Sequence, residues 1–213
     1  MKPITVSLIC SLSCFAANDV SIAPDMSPGY TIAAYYFPNY HPDPRNDKWH
    51  GPGWTEWELV KRATPRFEGH QQPKAPLWGY TDESNPDAMA QKIAAAADHG
   101  IDAFIFDWYW YEDGPYLQGG LEDGFLKAPN NGRMKFAVMW ANHDWQDIQP
   151  AQRSRPAKTL AKGGMDVTTF RAATDHMIET YFRYPSYWRV NGGLYVSLYE
   201  LMTLVSGLGG IEQ

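Results

Sequence analysis

Four short segments of this sequence bring carboxylates, amides or imidazoles together with dense aromatics. They are Tyr35-Tyr36 with Asn39, Tyr40 and His41; Asp107-Trp108-Tyr109-Trp110-Tyr111-Glu112; Trp140-Ala141-Asn142-His143-Asp144-Trp145; and Tyr199-Glu200. A carboxylate can donate or withdraw a proton, and Trp and Tyr offer flat apolar faces with a polar tip. A polyhydroxylated ring uses both: its C–H face stacks on an aromatic plane while its hydroxyls bond the polar groups. Asp107 and Glu200 are therefore the candidate catalytic residues. Tyr36, Trp108, Tyr109, Asn142, His143 and Asp144 are candidate substrate contacts. Plainer readings stand beside these. Asp107 also suits the cap of a turn, Asn142 to Asp144 a local hydrogen-bonded turn, and Glu200 the first turn of a helix, where the dipole favours an acid.

A fifth segment belongs with them. The stretch between Pro38 and Asn85 is Pro-, Gly- and Trp-rich, and contains Trp49-His50-Gly51-Pro52-Gly53-Trp54-Thr55-Glu56-Trp57-Glu58 and Gly69-His70-Gln71-Gln72-Pro73. Loops of this length inside a domain are functional or disordered, and the aromatic density argues for function. Trp54, Glu56, Trp57 and His70 join the candidate substrate contacts, with packing over the sheet as the plainer reading of Trp57. No metal is expected, because His143 and Asp144 are adjacent, point apart, and have no partner at ligand spacing. No cofactor is expected either.

The elements that must position these residues follow from periodicity. Thr31 to Phe37, Ile101 to Phe106, Lys135 to Trp140 and Leu194 to Tyr199 are continuous β-prone runs, each predicting a strand buried on both faces. Between them lie helical stripes. Met89, Ile93, Ala96 and Ala97 follow an Asn85–Pro86 start and precede Gly100. Leu117, Leu121 and Phe125 form a second stripe, and Phe170, Ala173, Met177, Ile178 and Tyr181 a third. Alternating strands and helices predict an α/β fold with a parallel sheet. No Gly-x-Gly-x-x-Gly follows a strand, so the dinucleotide-binding version of that plan loses its main support. A closed (β/α)₈ barrel needs eight such units, and about four are present, so the expectation is a partial TIM-type barrel with its C-terminal half missing.

Composition narrows the partners. A net charge of −6 without a Lys/Arg cluster argues against nucleic acid. The 9 Trp and 13 Tyr exceed what packing alone asks of 213 residues and fit a glycan partner. Residues 1–17 carry a Lys, a short apolar run and small residues before Asn18, the pattern of a secretory signal too short to span a bilayer. Residues 18–29 then form a flexible leader and 30–213 the domain. The expected location is secreted, periplasmic or at the cell surface, with no integral membrane segment in the mature chain. Both cysteines, Cys10 and Cys14, lie inside the signal, so the mature chain has no disulfide, and lipidation at Cys14 is the alternative to release.

The blocks Ala34-Tyr35-Tyr36-Phe37-Pro38, Gly69-His70-Gln71-Gln72-Pro73, Pro76-Leu77-Trp78-Gly79-Tyr80, Gly100-Ile101-Asp102, Phe106-Asp107-Trp108-Tyr109-Trp110 and Met139-Trp140-Ala141-Asn142-His143-Asp144-Trp145 occur in an order that resembles the WbsX-type, glycoside-hydrolase-family-99-like domain. The resemblance runs from about Ile32 to the end. It implies a (β/α)₈ barrel acting on glycosidic bonds, and family 99 itself resembles retaining endo-α-mannosidases. There one carboxylate assists the sugar's own 2-hydroxyl and a second serves as acid/base, unlike the usual nucleophile pair. Those glutamates lie in a Glu-x-x-Glu-like motif late in the barrel, which this sequence does not match. Glu56 and Glu58 sit in the wrong loop, so the main catalytic pair is expected beyond Gln213 and the chain alone is expected to be inactive. The expected function is hydrolysis of O-glycosidic bonds in a polysaccharide or glycan. The alternatives are a polysaccharide-biosynthesis glycosyltransferase, disfavoured by the export signal, and a non-catalytic glycan-binding module.

Overall fold

A computed structural model describes residues 29–151 and 154–210; the expected signal and all but the end of the leader lie outside them. Strand β1 is Ala33–Tyr36, followed by two short helices, α1 (Pro44–His50) and α2 (Trp57–Lys61). Helix α3 spans Pro86–Asp98, where the cap signals place it. Asn85 Oδ1 accepts from the Asp87 and Ala88 amides, and Gly100 takes the left-handed backbone (φ +82°) that turns the chain into the next strand. Strand β2 is Ala103–Tyr111, with β3 (Gly114–Tyr116) folded back antiparallel on its far end. Next come a π-type turn of helix, Gly120–Phe125, a 3₁₀ turn, Asn131–Arg133, and β4, Lys135–Trp140. A small hairpin of β5 (Trp145–Gln146) and β6 (Thr159–Ala161) precedes α4, Val167–Thr180. A second hairpin, β7 (Arg189–Val190) and β8 (Gly193–Leu194), leads to β9 (Val196–Leu198) and α5 (Leu201–Gly207).

The main sheet runs β1-β2-β4-β9, all parallel, with helical crossovers between neighbours. This is the expected run of four βα units. Period two divides each strand between two faces. Phe104, Phe106 and Trp108 of β2, with Phe136, Val138 and Trp140 of β4, pack against Met89 and Ile93 of α3 and Ala173 and Met177 of α4. Ile105, Tyr109 and Tyr111, with Met139 and Ala141, form a second apolar cluster on the opposite face, closed by Tyr116, Leu117 and Trp145. That second face is called the inner face below.

Three elements differ from the expectation. Leu117 (φ +58°) stands outside any helix, and the stripe through Leu121 and Phe125 is a π-type turn, with Leu126 N–H donating to Leu121 C=O. Gly124 is required there, because a Cβ would sit 2.0 Å from the Glu83 carbonyl oxygen. Ile178 is exposed rather than part of the α4 stripe, since Met177 already holds the buried position and the next residue is turned about 100° away. The fourth strand is interrupted: Asn191 and Gly192 both have positive φ (+52° and +84°) and turn β7 into β8, so Leu194 pairs with Arg189 and not with β4.

Candidate functional site

Strand β2 continues through Tyr111, so Asp107 to Tyr111 are not a loop after the strand but part of it, extended by pairing with β3. Their side chains therefore alternate. Asp107 and Tyr109 face inward, whereas Trp108 and Trp110 face the helices. Trp108 is 2% exposed, and its indole N–H donates to the Tyr181 hydroxyl at 3.0 Å. Tyr36 is likewise on the helix side, packed on Phe104 and Phe106, with its hydroxyl donating to Glu83 Oε1 at 2.6 Å. The sheet's parity thus moves both of these expected substrate contacts into the core.

The inner face holds a different set. Asp107 is level with Met139 of β4, which is level with Ser197 of β9; Tyr35 of β1 is level with Ile105. Asp107 makes no hydrogen bond through its buried Oδ1 and is in no ion pair among the described residues. Burial alone pushes its carboxyl up to about 6. Tyr35, about half exposed, lies beside Tyr195 and Ser197 and close enough to Asp107 to feel its charge; burial first, then Tyr195 and Asp107, raise its pKa, and Ser197 pulls it back. Tyr109, two residues beyond Asp107 on the same face, is raised by burial and then by the charges of Asp107, Tyr111, Glu56 and Tyr199.

Glu56, at the start of α2, is the second carboxylate of this region. Its Oε1 accepts from Gln149 Nε2, and Asn39 lies against the same group. Burial raises the Glu56 pKa, the Gln149 and Asn39 amides pull it back, and the Glu83 charge adds to the rise. Asn39 itself is fully buried, yet neither polar atom of its amide makes a hydrogen bond of good geometry. Ser197 Oγ, Trp145 Nε1 and Gln149 Oε1 are also buried without a partner. Such orphaned groups are costly in a stable fold unless something else satisfies them.

The remaining expected residues are placed as follows. His143 lies at the inner rim, 5.3 Å between ring centroids from Tyr199 and 5.9 Å from Tyr109, with its Nδ1–H donating to the Asp144 carbonyl. Asp144 itself is engaged elsewhere: its carboxylate takes the Gly163 amide and the Lys162 ammonium, which lower its pKa in that order. Asn142 is buried and clamps the chain after β9, donating to the Glu200 carbonyl (2.7 Å) and accepting from the Glu200 amide (2.8 Å). The Glu200 carboxylate accepts from the Thr203 hydroxyl at the start of α5, in keeping with the helix-start reading. Trp54 is buried against His50 with ring centroids 4.3 Å apart. His70 stacks on Phe67 in the long loop and accepts from the Arg66 amide. Asp107, Tyr109 and His143 therefore come together, joined by Tyr35, Glu56, Trp145 and Ser197. Tyr36, Trp108, Asp144, Glu200 and His70 point elsewhere. Along β2, period two counted from Ile105 separates Asp107 and Tyr109 from Trp108.

A groove of about 570 Å³ adjoins this region, lined by Trp49, His50, Asp147, Gln149, Arg155 and Lys158 among others. It meets Glu56 through Gln149. A hollow of about 430 Å³ at Glu179, Arg183 and Tyr184 is at the end of α4, away from these side chains. Among the described residues no group of three His, Cys, Asp or Glu is placed to hold a metal ion, and no helix is long and apolar enough to cross a membrane.

A parallel α/β sheet with a polar, aromatic inner face thus defines the class of the protein. The chain belongs to the family described as Glycosyltransferase WbsX, whose model matches residues 32–206. It is 34% identical over 161 residues to the uncharacterized protein WxcX from two strains of Xanthomonas campestris pv. campestris. That match covers 75% of this chain and 22% of WxcX, so the chain spans about a fifth of the length of these curated relatives. Among solved structures, the GH99 endo-alpha-mannosidase from Bacteroides thetaiotaomicron matches with a TM-score of 0.48 at 14% identity, over 81% of this chain and 46% of that one. Its complex with BIS-TRIS-propane matches with a TM-score of 0.46 at 12% identity, over 81% and 43%.

Proposed function

We propose that the inner face is the glycan site of an enzyme that hydrolyses O-glycosidic bonds. The observation that carries the reading is the gathering of unsatisfied buried groups there: an acceptor in Asp107 Oδ1, a donor in Trp145 Nε1, and both in Asn39 and Ser197. A sugar hydroxyl both donates and accepts, and the Tyr35 and His143 rings, which are not buried, offer stacking planes. Asp107, half-protonated near pH 6, is the candidate acid/base. Its carboxyl gives a proton to the departing glycosidic oxygen, the anomeric C–O bond breaks, and water supplies the new hydroxyl while returning a proton to Asp107.

The sheet's open edge supports placing the four units within a larger barrel. Among the described residues β9 pairs only with β4, and Val196, Leu198, Leu201 and Met202 beside it are exposed. Further βα units of the same polypeptide would cover them. Export through residues 1–17 belongs to this proposal. Glycosyl transfer is the second reading, favoured by the family's description. The test is incubation of the chain, and of a version extended by further βα units, with α-mannan and other polysaccharides, and separately with nucleotide-sugar donors. The extended form should release sugar and lose this in Asp107→Asn. Sugar transfer from a nucleotide donor without hydrolysis would reverse the ranking, and binding without either reaction would leave a glycan-binding module.

A further inference from the structure

Resting on that reading, the groove that meets Glu56 adds a second place for the glycan and narrows its chemistry. Trp49, His50, Asp147, Gln149, Arg155 and Lys158 line one space of about 570 Å³, a volume suited to a small organic ligand. Gln149 gives its Nε2 to Glu56, and its Oε1 is buried without a donor. His50 Nε2, in the same lining, is also buried without a partner. Burial lowers the His50 pKa against the pull of the Asp147 charge, so the ring is neutral at pH 7 and the cations of the groove are Arg155 and Lys158. Both are exposed, and neither is in an ion pair among the described residues even though Asp147 shares the lining. Free surface cations are common; these two share a concavity with a half-buried indole and two orphaned polar atoms.

The lining selects among ligands. Gln149 Oε1 only accepts, so a bare carboxylate, sulfate or phosphate leaves it unmet, whereas a neutral sugar leaves both cations unmet. A hydroxylated acid meets all of them. A diphosphate would bring further negative charge to a groove that already holds Asp147. We infer that the groove is a subsite for a uronic-acid unit, with its carboxylate on Arg155 and Lys158, its hydroxyls on Gln149 and His50, and its ring against Trp49. Gln149 joins the two places, one end of its amide on Glu56 and its side chain in the groove wall, so one glycan can occupy both. Charge-assisted bonds from two exposed cations favour an acid over its neutral counterpart by about tenfold.

The experiment is calorimetric titration of the full chain at pH 7 with short oligosaccharides of glucuronate, galacturonate and mannuronate, each paired with its neutral counterpart, and with nucleotide sugars. For whichever configuration binds, the uronate should bind about tenfold tighter than the neutral member. The gap should shrink to about threefold or less in Arg155→Gln and in Lys158→Gln, and should narrow in the wild type at high salt. Both side chains are exposed, so the fold does not depend on them. Lys127→Gln, outside the groove, should leave the gap as it is. Equal or tighter binding of the neutral member overturns the inference and leaves the glycan reading standing, as does a uronate preference that survives both groove variants. A nucleotide sugar that binds tighter than any uronate and loses this in Lys158→Gln would give the groove to a diphosphate and overturn it too. If no oligosaccharide of any configuration binds, the glycan reading itself fails and the subsite with it.

Discussion

Replacing Asp107 by Asn should make the protein more stable at neutral pH. The group's folded pKa is about 6 against 3.8 for an ordinary aspartate, so the folded state holds its proton more tightly than the unfolded state does. Below about pH 4 both states are protonated and the group costs nothing. Between pH 4 and 6 the unfolded chain has released its proton and the folded one has not, so stability falls as pH rises. Above pH 6 both are ionised and the full cost remains. A difference of about two pKa units corresponds to about 3 kcal/mol, which partial solvent access reduces to about 2. The Asn amide brings its own unsatisfied N–H groups and returns about 1 kcal/mol of that. Asp107→Asn should therefore gain about 1 kcal/mol at pH 7.5, lose about 1 kcal/mol below pH 4, where the carboxyl costs nothing and the amide penalty remains, and flatten the decline between. Urea unfolding followed by Trp fluorescence at half-unit pH steps measures this directly. A variant less stable than wild type at pH 7.5, with the decline intact, would mean that the carboxylate has a structural partner and that its burial is not an unpaid cost.

Trp108→Ala removes a core indole and its bond to Tyr181, and should cost about 3–5 kcal/mol by thermal melt, whereas Tyr109→Phe should leave stability within about 1 kcal/mol and weaken sugar binding in calorimetry. Asn142→Ala breaks both bonds to the Glu200 backbone; a loss of about 1–3 kcal/mol in urea, with faster amide exchange after β9, is expected. Lys92→Met leaves Glu83 buried with only Tyr36 and the Tyr40 amide to support it, and should destabilise by about 3–5 kcal/mol in urea unfolding.

How far the sequence carried this picture depended on which physical signal each element used. Caps and runs were readable. Asn85, Pro86 and Gly100 mark the ends of α3, and the apolar runs mark the four parallel strands. The site was read less well because of one boundary. If β2 stopped at Phe106, Asp107 to Glu112 would be loop residues free to converge on a rim. In the structure β3 pairs with Tyr109 to Tyr111 and keeps the chain extended, so Trp108 is turned to the helices while Asp107 and Tyr109 remain inward. A hairpin formed through Gly114 and Pro115 gives only a short alternation and leaves a weak sequence trace. Asn191-Gly192, just before the fourth run, is the stronger turn signal: it takes Leu194 into a hairpin with Arg189 and leaves Val196–Leu198 as the strand. Glu56 stood out in the sequence only as an acid among tryptophans, since its partner Gln149 lies 93 residues away.

The two faces of the sheet handle buried carboxylates in opposite ways, and that contrast locates function better than composition does. On the helix side Glu83 is almost wholly buried and fully furnished, with the Lys92 ammonium, the Tyr36 hydroxyl and the Tyr40 amide all on its oxygens. Its arrangement is what a folding chain needs when it must keep a charge inside. On the inner face Asp107 has no cation and Glu56 only amides, although Lys and Arg side chains occur nearby in the groove. A chain able to complete one site and not the other has reason to leave the second open, because satisfying Asp107 internally would lower its pKa and fill the space a ligand must occupy. Substitutions should then act with opposite signs on the two faces: removing Lys92 destabilises, while neutralising Asp107 stabilises and disarms. Variants that moved stability in the same direction would show that both carboxylates are structural and that the inner face has no claim to be a site.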